Sequence, residues 1–162
     1  TENKKISLND IKGKNGTLIM FICNHCPYVK AVIKDIVDET KFLETIGIKS
    51  LAIMSNDVKN YPEDSFENMI SFGKSNNFNF PYLIDKTQEV AKIYGAVCTP
   101  DFFGYNKYLE LQYRGRIREL KELKPVRKSE GELKIAMQQI AKTGKGPNKQ
   151  FPSMGCSIKW FK

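Results

Sequence analysis

Two cysteines three positions apart, in Cys23-Asn24-His25-Cys26-Pro27, sit between an apolar run and a helical pattern. Leu18-Ile19-Met20-Phe21-Ile22 leads into them, and Val29, Val32, Ile33, Ile36 and Val37 follow with the spacing of one buried helix face. The order is a buried strand, a cysteine pair and an amphipathic helix. It restricts the chain to an α/β layering that sets the pair at the end of a strand and the mouth of a helix.

A helix that starts at the motif puts Cys23 at its N-terminal end and Cys26 in its first turn. Free backbone N–H groups and the positive end of the dipole then favour a thiolate at Cys23. That effect is worth about 1 kcal/mol, or roughly one pKa unit. A thiol near ~8.5 therefore needs a further stabiliser, and His25 is the nearest candidate. Pro27 fits the first turn, where its missing N–H costs nothing. The reaction expected is dithiol exchange. Cys23 attacks a partner disulfide, and Cys26 resolves the mixed disulfide. Two other readings stay open. One is a thiol peroxidase, in which a peroxide oxidises the thiolate to a sulfenate that a neighbouring cysteine condenses. The other is a metal-binding or metal-delivery protein, for which zinc needs about two more ligands. The remaining cysteines are Cys98 and Cys156, and His25 is the one histidine. Neither cysteine forms a second close pair, so no metal ion and no cofactor are expected.

With 162 residues, the chain is read as a single domain over 1–162, with 144–162 as an extended Gly/Pro/Lys-rich tail. No apolar run approaches the length that spans a bilayer. The chain begins at Thr1 rather than Met, which leaves room for a removed leader or upstream segment. A single CxxC in a βα context fits the cytoplasm first and the periplasm second. The net charge of +8 comes from lysine clusters, Lys4, Lys5, Lys12 and Lys14 near the start and Lys142, Lys145, Lys149, Lys159 and Lys162 near the end. No interleaved aromatic and basic pattern accompanies them, so nucleic acid is not an expected partner, and the charge favours encounters with acidic partners.

Along the chain, Lys4 to Asn15 reads as a polar entry anchored by Ile6, Leu8 and Ile11. Strands are expected at Gly16–Ile22 and Ile48–Met54, joined by a helix over Cys26–Thr45 in a right-handed βαβ unit. A loop over Asn56–Asp64 leads to a helix with Phe66, Met69, Ile70 and Phe72, capped by Asp64 or Ser65. A short strand follows at Phe80–Ile84, then a short helix at Gln88–Tyr94. Ala96–Phe103 and Tyr108–Arg116 read as a hairpin, and Ser129–Thr143 as a final helix.

These residues resemble the thioredoxin superfamily, in its peroxiredoxin-like (thiol-specific-antioxidant, redoxin) branch with a CNHCP motif. The likeness rests on the strand–CxxC–helix unit, on Thr99-Pro100 at the opening of the hairpin, and on the long insertion Asn56 to Ile84 between the second and third strands. It extends through Tyr61–Ser65, Gly95–Phe103, Tyr113–Arg116 and Pro152–Trp160. The resemblance implies a thioredoxin-like fold, a central mixed sheet flanked by helices. It implies a cis bond before Pro100 that brings the Thr99 backbone beside the cysteines and offers an edge to an extended substrate. It implies catalytic Cys23, Cys26, His25, Thr99 and Pro100, with Cys98 and Cys156 as candidate further redox residues. Cys98 reads first as a buried small hydrophobe, and Cys156 as a thiol in a loose tail. A protein disulfide or a peroxide is the implied substrate, and an external thiol the reductant. The chain departs from the pattern in three places. Thr17 stands where many thioredoxins have a buried acid, Val29 where some thiol reductases have one, and Cys23 where peroxiredoxins have a threonine three residues before their reactive cysteine. No proton acceptor is assigned, and Arg114 and Arg116 are read as hairpin surface that could also face an anion.

Overall fold

The computed structural model describes residues 5–128 and 130–162. Lys4 and Ser129, both named above, lie outside them. The chain runs α1 (Leu8–Ile11), β1 (Gly16–Phe21), α2 (Pro27–Thr45), β2 (Ile48–Met54), a 3-10 turn (Pro62–Asp64), α3 (Phe66–Ser75), β3 (Tyr82–Ile84) and α4 (Glu89–Tyr94). It continues through β4 (Cys98–Thr99), β5 (Asp101–Asn106), β6 (Leu111–Gly115), β7 (Leu120–Lys121), β8 (Lys124–Pro125), α5 (Glu132–Thr143) and β9 (Cys156–Ser157).

The main sheet has the order β3-β2-β1-β5-β6. β1 is its centre, parallel to β2 from Gly16↔Ile48 to Phe21↔Ile53 and antiparallel to β5 from Gly16↔Asn106 to Phe21↔Asp101. Every β1 residue is buried, as its apolar sequence requires. Leu18 and Met20 join the core under α2 and α5, while Ile19 and Phe21 join the opposite core with Ile11 of α1 and Ala91 of α4. The two-residue alternation of a strand thus splits one apolar run between two layers. This is a mixed sheet covered by helices on both faces, the thioredoxin-like architecture.

Most elements fall within a few residues of their expected limits, and the differences have causes. α2 begins at Pro27, with Cys26 as its N-cap. Its proline takes the first helical position, so the helix cannot be read from Cys23. Gln88 adopts a left-handed backbone, so α4 starts at Glu89. Ser65 caps α3 by accepting from the Asn68 N–H, leaving Asp64 free to turn inward. The expected hairpin strand is divided at Pro100. Cys98–Thr99 forms β4, and Asp101–Asn106 forms β5. The tail is not loose. Arg116 N–H donates to Phe151 O, Gln150 bridges Gln112 and Arg114, and Ser153 donates to Asp101. Beyond β9, Ile158 is buried, and Lys159 and Phe161 bond to Asn56, Asp57 and Gln88. No helix among the described residues is long and apolar enough to cross a membrane.

A buried ionic seam joins α2 to the segment after β6. Asp35 pairs with Arg127 at 2.8 Å, and Glu39 Oε1 lies 3.4 Å from Arg118. Glu39 Oε2 is buried without a hydrogen-bond partner. Burial raises the Glu39 carboxyl to about 7 despite Arg118. A folded pKa above the unfolded one contributes stability below the unfolded value of 4.5 and loses it as pH rises through about 7. Glu39→Gln should therefore flatten the pH dependence of denaturant unfolding. It should gain about 3 kcal/mol over the wild type near pH 8 and lie within ~0.5 kcal/mol of it near pH 4. An unfolding free-energy difference that is the same at both pH values would contradict this assignment.

Candidate active site

Cys23 lies two residues past β1, and Cys26 caps α2. Both are buried. The Thr99–Pro100 peptide is cis, and β4 lies across the two sulfurs. Cys23 Sγ is 3.5 Å from Thr99 Oγ1, and Cys26 Sγ lies 3.3 Å from the Thr99 carbonyl oxygen, to which its thiol donates when protonated. The structure therefore brings Cys23, Cys26, His25, Thr99 and Pro100 into one place.

The two sulfurs have unlike surroundings. Cys26 Sγ lies 2.9 Å from Cys156 Sγ, and hydrogen bonding by the neighbouring thiols shifts its pKa down against its burial. Cys23 is held protonated by its hydrogen bond to Cys26, by burial and by the nearby Asp64 carboxylate. Cys26 stands at the N-cap of α2 and Cys23 three residues before it, so the positive end of the helix lies nearer Cys26.

Asp64 is the residue that sequence reasoning missed. The 3-10 turn in the insertion between β2 and β3 carries it, fully buried, beneath the motif. Its carboxylate accepts from the Asn24 N–H at 2.8 Å and from Asn56 Nδ2 at 2.9 Å. His25 Nδ1 stands 2.7 Å from Asp64 Oδ2, at an angle poor for a directed hydrogen bond. The His25 ring stacks on Tyr61, and Tyr82 donates to Asn24 Oδ1. The insertion thus brings an acid to the thiols from the side opposite the vacant Thr17 position. Thr17 itself is buried and accepts from the Gly13 N–H. A capping-box spacing hid Asp64. The available signal was Ser65, a better-placed cap one residue later.

The donor atoms of Cys23, His25 and Asp64 lie within 4.8 Å of one another, and among the described residues this is the set that could hold a metal ion. Asp64 already accepts two hydrogen bonds from Asn24 and Asn56 there, which suits a carboxylate anchoring a loop. Arg114 is occupied by the Gly95 carbonyl and Asp101, and Arg116 by Glu132. A cavity of about 820 Å³ opens on the other face of the sheet, lined by Ile11, Leu51, Ile53, Val90 and Tyr94, and none of the four cysteines lines it.

The two remaining cysteines separate. β9 pairs antiparallel with β4, setting Cys156 opposite Thr99 and Ser157 opposite Cys98. Alternation puts Thr99 and Cys156 on the thiol side and Cys98 on the other. Cys156 Sγ lies 2.9 Å from Cys26 Sγ. Cys98 approaches the Pro100 carbonyl, and burial raises its thiol to about 11.

Residues 1–120 match the AhpC/TSA family. The chain belongs to that family. Among solved structures it is similar to an uncharacterized conserved protein from Geobacillus kaustophilus, with 42% identity and a TM-score of 0.90 over 96% of this chain and 82% of that one. A hypothetical protein from Sinorhizobium meliloti 1021 follows at 33% identity and a TM-score of 0.88, over 96% and 85%. A secreted disulfide oxidoreductase from Mycobacterium tuberculosis shares the fold at 17% identity and a TM-score of 0.52, over 60% and 66%. No curated protein matches. Membership of the AhpC/TSA family points to oxidoreductase activity.

Hydrogen bonding from its neighbours pulls the Cys26 thiol below its ordinary range. In the reduced protein, a plateau of thiolate absorbance should therefore persist to pH values well below the ordinary ~8.5 and disappear as Cys26 protonates. Cys26→Ser should remove this plateau and Cys23→Ser should keep it. A midpoint near the ordinary ~8.5 in the wild type would refute the assignment.

Proposed function

We propose that the protein is a thiol–disulfide oxidoreductase in which Cys26 attacks and Cys23 resolves. What supports this is the placement of the pair: Cys26 is the N-cap of α2 with its sulfur 2.9 Å from Cys156, while Cys23 lies 3.5 Å from the Thr99 hydroxyl and within 4.8 Å of Asp64, and the shifts run down at Cys26 and up at Cys23. The Cys26 thiolate attacks one sulfur of a protein disulfide. A Cys26–substrate bond forms, the substrate S–S bond breaks, and the departing thiolate takes a proton. Cys23 then gives its proton to the Asp64–His25 pair and attacks Cys26 Sγ, expelling the second substrate thiolate. Two electrons have moved to the substrate, and an external thiol reductant must return them to Cys23–Cys26. Thr99 flanks both sulfurs, through its hydroxyl at Cys23 and its carbonyl at Cys26. Pro100 holds β4 apart from β5 and has no proton to donate.

A thiol peroxidase is the second reading, and family membership favours it together with the position of Cys26 at the helix start. There the Cys26 thiolate attacks a peroxide, water or an alcohol leaves, and a neighbouring thiol condenses with the sulfenate to release water. The engagement of Arg114 and Arg116 elsewhere weighs against it.

The deciding experiment is turnover of a protein disulfide and of hydrogen peroxide by the same preparation. Cys26→Ser should reduce disulfide turnover by roughly a hundredfold or more, because the anionic sulfur is lost. Cys23→Ser combined with Cys156→Ser should accumulate a mixed disulfide on Cys26, identified by peptide mapping. Undiminished disulfide turnover in both would end this reading. Peroxide consumption far above the free-thiol rate, with no disulfide turnover, would install the second.

A further inference from the structure

The edge that β4 offers is already taken by the chain's own C-terminal strand. Cys156 stands opposite Thr99, with its sulfur 2.9 Å from Cys26. The segment is built for this seat. A Cβ on Gly155 would come within 2.0 Å of the Thr99 carbonyl oxygen, so only glycine allows so close an approach. On the far side, Ile158 N–H donates to Val97 O, Lys159 N–H to Asn56 Oδ1, and Asp57 N–H to Lys159 O. Asn56 also holds Asp64, so the anchor of the tail and the support of the motif are one network. Cys26 is fully buried beneath this strand, whereas Cys156 is half-buried and reaches solvent.

We infer that Cys156 is a third redox thiol, which carries electrons between an external thiol and the buried Cys23–Cys26 pair through a Cys26–Cys156 disulfide. The inference rests on the proposed dithiol chemistry and adds the route by which oxidised protein is reduced. In the oxidised protein the Cys156 thiolate attacks Cys26 Sγ. The Cys26–Cys156 bond forms, the Cys23–Cys26 bond breaks, and Cys23 leaves and takes up the proton that Cys156 gave up. No electrons are gained or lost in this exchange. An external thiol, of the glutathione or dithiol class, then attacks Cys156 Sγ and expels Cys26. Cys26 is the better leaving group because a sulfur of low pKa departs faster, and its helix donors stabilise the anion. A second external thiol frees Cys156, and the two external thiols leave as a disulfide. Substrate and tail use the same edge, so the strand must lift for a protein disulfide to reach Cys26.

The test is the full chain oxidised across a graded glutathione poise, acid-trapped and peptide-mapped, with reduction rates measured using glutathione. In the wild type, Cys23–Cys26 and Cys26–Cys156 disulfides should coexist in proportions that do not depend on protein concentration. Cys23→Ser should give the Cys26–Cys156 bond alone. Cys156→Ser should still form Cys23–Cys26, reduced by glutathione at least roughly tenfold more slowly, because the surface sulfur is gone. No Cys26–Cys156 bond in Cys23→Ser at any poise would overturn the relay, as would reduction of Cys156→Ser at the wild-type rate. Either result would leave the dithiol reading standing provided Cys23–Cys26 forms. Absence of Cys23–Cys26 in Cys156→Ser would instead remove the dithiol reading itself.

Discussion

One strand buried on both faces sets everything else. β1 fills two cores at once and is clamped by β2 on one edge and β5 on the other. Its end cannot shift without a residue slip that would turn five side chains to the wrong layers. Cys23 and Cys26 follow within five residues, so their place relative to β5 is fixed by the same register. β5 begins immediately after Pro100, and β4 is therefore held against the sulfurs by the sheet itself. The chemistry borrows its rigidity from packing that has no part in catalysis.

Within that frame the two thiols are made different by direction rather than by burial. Both are shielded from solvent. Cys26 stands at the N-cap of a long helix, and Cys23 stands near a carboxylate. Stabilising an anion at one sulfur while holding the proton on the other gives a pair that can act in sequence. The sulfur ready to attack differs from the one that must wait for a proton acceptor. The Asp64 carboxylate adds to the forces that hold the proton on Cys23.

How much of this could be read in the sequence depends on whether the cause was local. β1, α2 and β2 fall within a residue or two of their expected limits, because an apolar run and a helical repeat are local signals. The start of α2 was also written in the chain, since proline favours the first helical position. Thr99-Pro100 was readable through the family resemblance alone, as an X-Pro pair has no local mark of its isomer. Asp64 was not readable. Its role follows from a side chain turned inward thirty-eight positions after His25's neighbour Cys26, and a plausible helix cap offered a simpler use. The tail was hidden for another reason. Its docking relies on backbone and amide hydrogen bonds from Gln150, Ser153 and Lys159, with Ile158 as the main apolar anchor, so it carries no hydrophobic period to detect.

The docked tail also answers a general difficulty of the fold. An edge that accepts substrate chains is an edge that accepts any extended chain, and exposed edges invite unwanted pairing. Here the pairing partner is built in, two residues long, and adjoins a glycine that fits one seat. A two-residue ladder is a weak clasp, so most of the tail's hold comes from its anchors at Phe151, Ile158 and Lys159 on either side. Firm flanks around a weak centre allow β9 to part from β4 without unfolding the tail. A substrate strand with more than two residues to pair would then have the advantage. The same thiol that fills the edge would report its state, since a bond between Cys156 and Cys26 fastens the clasp and its reduction frees it.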